Sequence, residues 1–285
     1  MKTSLYRASV VAVILAAMTY LVGYGQQKQG YNGAYAEVNG LKMYYEIHGS
    51  GQPLVLLHGA FGFVEGWATV LPALTKTHQV IAVELQGHGH TNDLDRPLTY
   101  EQMAEDAAAL LNQLKIKNAD FFGYSMGGTV ALAVAIRHPE LVRKLTIYGS
   151  CAGRMKDTYD PETYKQFLSL STDFAPPVLK EPYDRMAPDP KKWPVLVTKI
   201  KGLERNFNGF SEAELKAIKA QTLIMMGDRD AVRPEHAVEM YRLIPNAQLA
   251  IFPGADHFLL FSAPEKLLST LLPFLNASSA EAKNQ

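Results

Sequence analysis

Short, continuous apolar runs alternate along this chain with segments of helical periodicity, and that alternation limits the fold more than any other feature. Residues 53–57 (PLVLL), 80–85 (VIAVEL), 119–123 (ADFFG), 145–148 (LTIY), 223–226 (LIMM) and 249–252 (LAIF) are the runs. Four to six apolar residues without polar alternation suit strands buried on both faces of a sheet. Between them, helices are expected over 99–114, 126–136, 212–220, 234–243 and 264–274. Thr99 and Gln102 are read as the capping-box start of the first. Pro234 and Pro264 stand where a helix tolerates proline, in its first turn. Upstream, residues 33–48 place two alternating stretches around Asn39-Gly40, a strong hairpin signal. An antiparallel hairpin followed by strand–helix repeats predicts an α/β fold with a mostly parallel sheet of eight strands covered by helices.

The alternation stops between residues 153 and 211. Seven prolines fall there, among them Pro161, Pro176, Pro177 and Pro194, together with many aromatic and methionine residues. A structureless loop of this length is improbable in a compact domain. The segment is expected to form short helices packed over one end of the sheet. The core is then 26–152 and 212–285, with a helical cap at 153–211.

The first 25 residues form a separate signal. Lys2 and Arg7 precede an uncharged, mostly apolar stretch, and Gly23-Tyr24-Gly25 closes it with small residues. This is the three-part pattern of a cleaved secretory signal peptide, which predicts a periplasmic or secreted protein with no stable membrane association after cleavage. The alternative is a membrane anchor over 8–24, a little shorter than the ~20 residues that span a bilayer. Composition excludes other classes. Lys+Arg and Asp+Glu are 28 each, without a basic run, which argues against nucleic acid as partner. The single cysteine, Cys151, excludes an internal disulfide and a multi-cysteine metal site.

Residues 121–128 read FFGYSMGG, directly after an expected strand and directly before an expected helix. Gly123, Ser125 and Gly127 make G-x-S-x-G, a sharp strand–turn–helix corner that exposes a serine hydroxyl at the sheet edge. Serine attacks only after a base takes its proton, and a histidine held by a carboxylate does that. After LIMM come Asp228 and Asp230, and after LAIF come Asp256 and His257. The acid partner is therefore Asp228 or Asp230, with Asp256 read as a loop-structuring residue. Other polar residues receive structural roles. His58 is expected to make a structural hydrogen bond, His88, His90 and Asp93 to lie in a surface loop, His236 to be solvated, and Cys151 to be a small buried hydrophobe.

With these residues in view, the chain resembles the α/β-hydrolase superfamily over roughly 35–275, in the capped serine-esterase branch. His58-Gly59-Ala60-Phe61-Gly62 resembles its oxyanion loop. Residues 84–91 (ELQGHGHT) resemble its D-x-R-G-x-G-x-S segment, with Glu84, Gln86 and Thr91 departing from the usual residues. The resemblance selects Asp230 through G-x-x-D and His257 through G-x-x-H. It implies a Ser125–His257–Asp230 triad, an oxyanion hole from the backbone N–H groups of Ala60 and Met126, and no metal or organic cofactor. The implied reaction is hydrolysis of a small-molecule carboxylic ester or lactone through an acyl-enzyme, since a serine in place of the aspartate nucleophile of dehalogenases points to acyl transfer. Phe61, Trp67, Phe174 and Trp193 are the candidate substrate-contacting residues, and their bulk suggests a large, mostly apolar substrate. The GYSMGG and GADHF segments are also similar to those of serine-dependent macrolide esterases. Two alternatives remain: a carbon–carbon bond hydrolase with the same triad, and a non-catalytic ligand receptor on the same scaffold.

Overall fold

A computed structural model describes residues 33–277; the N-terminal apolar stretch lies outside the described residues. Eight strands form one sheet: β1 (Gly33–Val38), β2 (Leu41–His48), β3 (Gln52–Leu57), β4 (His78–Val83), β5 (Ala119–Tyr124), β6 (Val142–Tyr148), β7 (Gln221–Gly227) and β8 (Ala247–Phe252). Their order across the sheet is β1-β2-β4-β3-β5-β6-β7-β8. β1 and β2 pair antiparallel through the Asn39-Gly40 turn, where both residues have positive φ, and β2 pairs antiparallel with β4. Every later pairing is parallel.

The helices in chain order are α1 (Leu71–Leu74), α2 (Tyr100–Gln113), α3 (Met126–Arg137), α4 (Met155–Thr158), α5 (Pro161–Ser169), α6 (Pro177–Met186), α7 (Trp193–Asn206), α8 (Glu212–Lys216), α9 (Pro234–Leu243), α10 (Leu259–Ser262) and α11 (Pro264–Asn276). Side chains of a strand alternate between the two sheet faces, and here each face feeds its own core. Val55 and Leu57 pack with α2, α3 and α9; Leu54 and Leu56 pack with α1 and α11. Ile224 and Met226 against Leu223 and Met225 repeat the division on β7. Burial on both faces is why these strands carry unbroken apolar runs.

Two local expectations change. Thr99 caps α2 by accepting from the Gln102 amide, but the Gln102 side chain donates to Asp106 instead of returning to Thr99, so the box is half formed. The helix expected over 212–220 stops at Lys216. Ser211 and Glu214 close a reciprocal capping box at its start, while Ile218 and Ala220 are buried where the chain turns into β7.

Helices α4 to α7 interrupt the core between β6 and α8, where the sheet pattern lapses in the sequence. α5 buries no residue completely, yet Thr163, Gln166, Phe167 and, just beyond it, Leu170 fall on one helical stripe that faces the cavity described below.

The ELQGHGHT segment shows how the departing residues are accommodated. The Glu84 carboxylate, fully buried, accepts from the Val64 and His90 amides. Thr91 Oγ accepts from the Tyr44 amide and donates to Glu84 O. Gln86 donates to Asp93 and accepts from Arg96. The network is closed by different side chains, and it keeps the strand end that faces the site in place. His88 is not in a surface loop: it is 1% exposed and packs beside His58.

Candidate active site

Ser125 occupies the N-cap position of α3 with φ 54° and ψ −124°, a left-handed φ that a residue with a Cβ adopts only under constraint. Its amide donates to Tyr148 O and its carbonyl accepts from the Gly128 amide, which pins both sides of the turn. The corner requires a glycine at 127: a Cβ there would lie 2.0 Å from Leu57 O. The result is a hydroxyl that projects from the carboxyl end of β5 rather than capping the helix.

Two later strands bring its partners. Ser125 Oγ lies 2.9 Å from His257 Nε2, and His257 Nδ1 lies 2.7 Å from Asp230 Oδ1. The Asp230 side chain is wholly buried in the loop that follows β7, and Oδ1 also accepts from the Val232 amide at 3.1 Å. That arrangement makes Nδ1 the protonated nitrogen, leaving Nε2 to accept from the serine. Burial pulls the His257 pKa down, but the charge of Asp230, its hydrogen bond and the charge of Asp256 raise it, and the imidazole stands above its ordinary value. Asp228 plays another part: its Oδ1 accepts from the Gly254 amide at 2.8 Å and closes the turn before His257. Asp256 caps its own loop by accepting from the Phe258 amide.

Several positions that sequence reasoning missed support this geometry. Gly149, at φ +59°, lies beneath the acid–base pair; a Cβ would come within 2.8 Å of His257 Nδ1 and 2.9 Å of Asp230 Oδ2. The Tyr124 hydroxyl donates to His257 O and the Tyr148 hydroxyl to Asp256 O, tying the histidine loop to β5 and β6. Tyr124 sits inside the G-x-S-x-G motif, whose spacing assigns it no role.

The other side of the hydroxyl is the loop 58–62. His58 Nε2 accepts from the Leu85 amide, so Nδ1 carries the proton and donates to Gly59 O. Burial depresses its pKa to about 3, which keeps it neutral. The ring thus fixes the loop that presents Ala60. Among the described residues, neither the Ala60 nor the Met126 amide is engaged by another backbone carbonyl, and both residues line the cavity beside Ser125. Backbone amides without internal partners beside a serine hydroxyl are the kind of donors that stabilise an oxyanion.

The cavity is about 220 Å³. Phe61, Trp67 and Phe174 line it with Tyr159, Phe167, Phe258 and Phe261. Trp193 does not. It is 2% exposed, lies behind the wall against Phe61 and Tyr183, and donates through Nε1 to Phe174 O. It therefore holds two lining residues in place without touching the cavity, because α7 turns that face toward the body of the cap. His236 is also buried, accepting from the Ala152 amide and fastening the start of the cap to α9. Cys151 is buried and outside the cavity lining, and desolvation pushes its thiol up to about 12. Among the described residues, no cluster of three His, Cys, Asp or Glu side chains has a geometry for a metal ion.

The family model described as "Alpha/beta hydrolase family" matches residues 54–270, and the chain belongs to that family. It is 28% identical over 276 residues to the 2-hydroxymuconate semialdehyde hydrolase of Pseudomonas sp. (strain CF600), covering 85% of this chain and 93% of the relative. Among solved structures it is similar to the CarC serine hydrolase of carbazole degradation, with TM-score 0.70, 26% identity and coverage of 86% and 99%. It also shares its fold with the enol-lactonase of Burkholderia xenovorans LB400, with TM-score 0.68, 24% identity and coverage of 86% and 100%.

Proposed function

We propose that this protein is a serine hydrolase that cleaves a carboxylic ester or lactone of a bulky, largely apolar substrate. Ser125 Oγ attacks the carbonyl carbon as His257 Nε2 takes its proton. Asp230 holds His257 in the required tautomer and stabilises the imidazolium. The Ala60 and Met126 amides receive the negative charge on the carbonyl oxygen. His257 then returns the proton to the leaving alcohol, and the alcohol departs. Water, activated by the same histidine, releases the acid and restores Ser125.

One observation favours ester over the alternative. The cavity lining contains neither lysine nor arginine among the described residues. A substrate with its own carboxylate, such as the dienoate named for a 28% identical relative of Pseudomonas putida, would be buried there without a counter-charge, and an unpaired buried charge is costly. The carbon–carbon hydrolase reading keeps support from the 28% identity to the Pseudomonas sp. enzyme. A panel of short and bulky acyl esters, lactones including a macrolactone, and a 2-hydroxy-6-oxo-dienoate separates the two. Esters or lactones are expected to show the higher kcat/KM. A dienoate preference would reverse the assignment, and binding without turnover of any of them would leave a receptor. We further propose export directed by residues 1–25; a mature N-terminus at Gln26 by mass spectrometry is the expected result, and an unprocessed chain in the cytoplasm would refute it.

The cap divides binding from support. Phe174→Ala removes a lining ring, and burial of such a ring stabilises a bound apolar group by about 1.5–3 kcal/mol. The kcat/KM of a bulky lactone should fall roughly 10- to 100-fold relative to a small acetate ester. Trp193→Ala should instead lower Tm, since emptying a buried tryptophan site costs about 3–5 kcal/mol. Equal selectivity changes from both variants, with no loss of Tm in the second, would contradict this placement.

A further inference from the structure

The cavity carries one acidic side chain that the proposed reaction does not use. Glu204, on the last turn of α7, lines the cavity that holds Ser125 and is only 7% exposed. Its Oε1 accepts from the Tyr100 hydroxyl of α2 at 2.6 Å. Its Oε2 is buried and has no hydrogen-bond partner among the described residues. No lysine or arginine in the lining offers a counter-charge. Desolvation raises its pKa to about 7, partly offset by the Tyr100 hydrogen bond.

A buried carboxyl group of this kind is poorly placed for stability alone. Ionised and unpaired, it opposes burial; neutral, it leaves a donor unused. The surrounding wall consists of aromatic rings, including Tyr159 and Phe167. Aromatic faces and a carboxylate are the two groups that recognise an organic cation. We propose that Glu204 is a specificity-determining residue that receives a protonated amine on the substrate, so that the preferred ester or lactone carries a basic nitrogen at a distance from its scissile carbonyl. Tyr100 occupies Oε1 and orients the group, and Oε2 takes the ammonium N–H. This inference rests on the ester-hydrolase reading above.

The experiment uses 4-nitrophenyl ω-dimethylaminoalkanoates of increasing chain length. Each is paired with an uncharged isostere in which CH replaces the protonated nitrogen. At the best-fitting length, wild-type protein should prefer the amine in kcat/KM by roughly 10- to 100-fold, the range of a hydrogen bond to a charged group. Glu204→Gln keeps an oxygen for Tyr100 but loses the charge; it should abolish the preference while leaving the isostere within about threefold. Tyr100→Phe keeps the carboxyl group and should retain the preference.

The amine-to-isostere ratio in the wild type supplies a second readout. It should rise with pH through about 7 as Glu204 ionises. The titratable neighbours, Tyr100, Tyr159 and Cys151, are all shifted upward and stay neutral over that range. The ratio cancels the titration of His257, which acts on both esters. Turnover of both esters without preference at every length, a preference that survives Glu204→Gln, or a ratio flat in pH would overturn the role of Glu204. An equal fall for both esters in folded Glu204→Gln would make the residue only a latch between cap and core. Absence of turnover on every ester, with Ser125 unlabelled by a fluorophosphonate, would instead refute the hydrolase reading.

Discussion

Ser125→Ala is expected to lower kcat by roughly 10³- to 10⁶-fold, because the members of such a triad act as a unit and little remains when one is lost. Structure should be unaffected. The Oγ lies 2.9 Å from His257 Nε2 and makes no cap bond to α3, so removing it leaves the corner held by the Ser125 amide and carbonyl. Alanine also accepts the positive φ no worse than serine. The checks are single-turnover kinetics on an activated ester, a fluorophosphonate label present at Ser125 only in the wild type, and an unchanged Tm. Hydrolysis near the wild-type rate would transfer the nucleophile's role to another group.

Asp230→Asn should cost roughly 10⁴-fold in kcat, since an amide cannot fix the Nδ1–H tautomer or offset the imidazolium charge. Asp228→Asn should cost less than about tenfold, because an asparagine oxygen can still accept from the Gly254 amide. The pH profile gives an independent reading. The general base must be neutral, so kcat/KM rises as pH passes upward through the His257 pKa. In the wild type that inflection is expected above the ordinary histidine value of about 6.5. In Asp230→Asn the raising charge is gone and burial remains, so the inflection should move down. A larger loss from Asp228→Asn, or an unmoved inflection, would name Asp228 as the partner.

The sheet was legible because its inner strands, β3, β4, β5, β6 and β7, are largely buried on both sides and so advertise themselves as apolar runs. The same logic put Ser125, the pair Asp228 and Asp230, and His257 just after such runs, where parallel strands end on one edge; the choice of Asp230 over Asp228 came from the family resemblance. Side chains in the helical insertion were harder to place. Trp193 and Phe174 are equally apolar, and only the way α7 packs decides that one backs the wall and the other forms it. His88 and His236 look like surface residues because histidine is polar; each is buried with a backbone group bonded to its ring. Glu204 left no signal at all. One glutamate within an amphipathic helix reads as its solvent face, and only the partner hydroxyl of Tyr100, more than a hundred residues earlier, shows otherwise.

Ser125 and His257 touch across a sequence separation of 132 residues, and Gly149 closes the site from below only when β6, β7 and β8 lie side by side. Contacts of such long range form late, after the loop between them has lost its freedom. A chain growing from its N-terminus thus carries Ser125 through the next 132 residues of synthesis before His257 exists to take its proton. A truncated product ending at β6 would keep the serine corner and lack both its partners. Turnover is consequently a reporter of completed folding. During refolding from denaturant, ester hydrolysis should return no sooner than the slowest phase seen by tryptophan fluorescence.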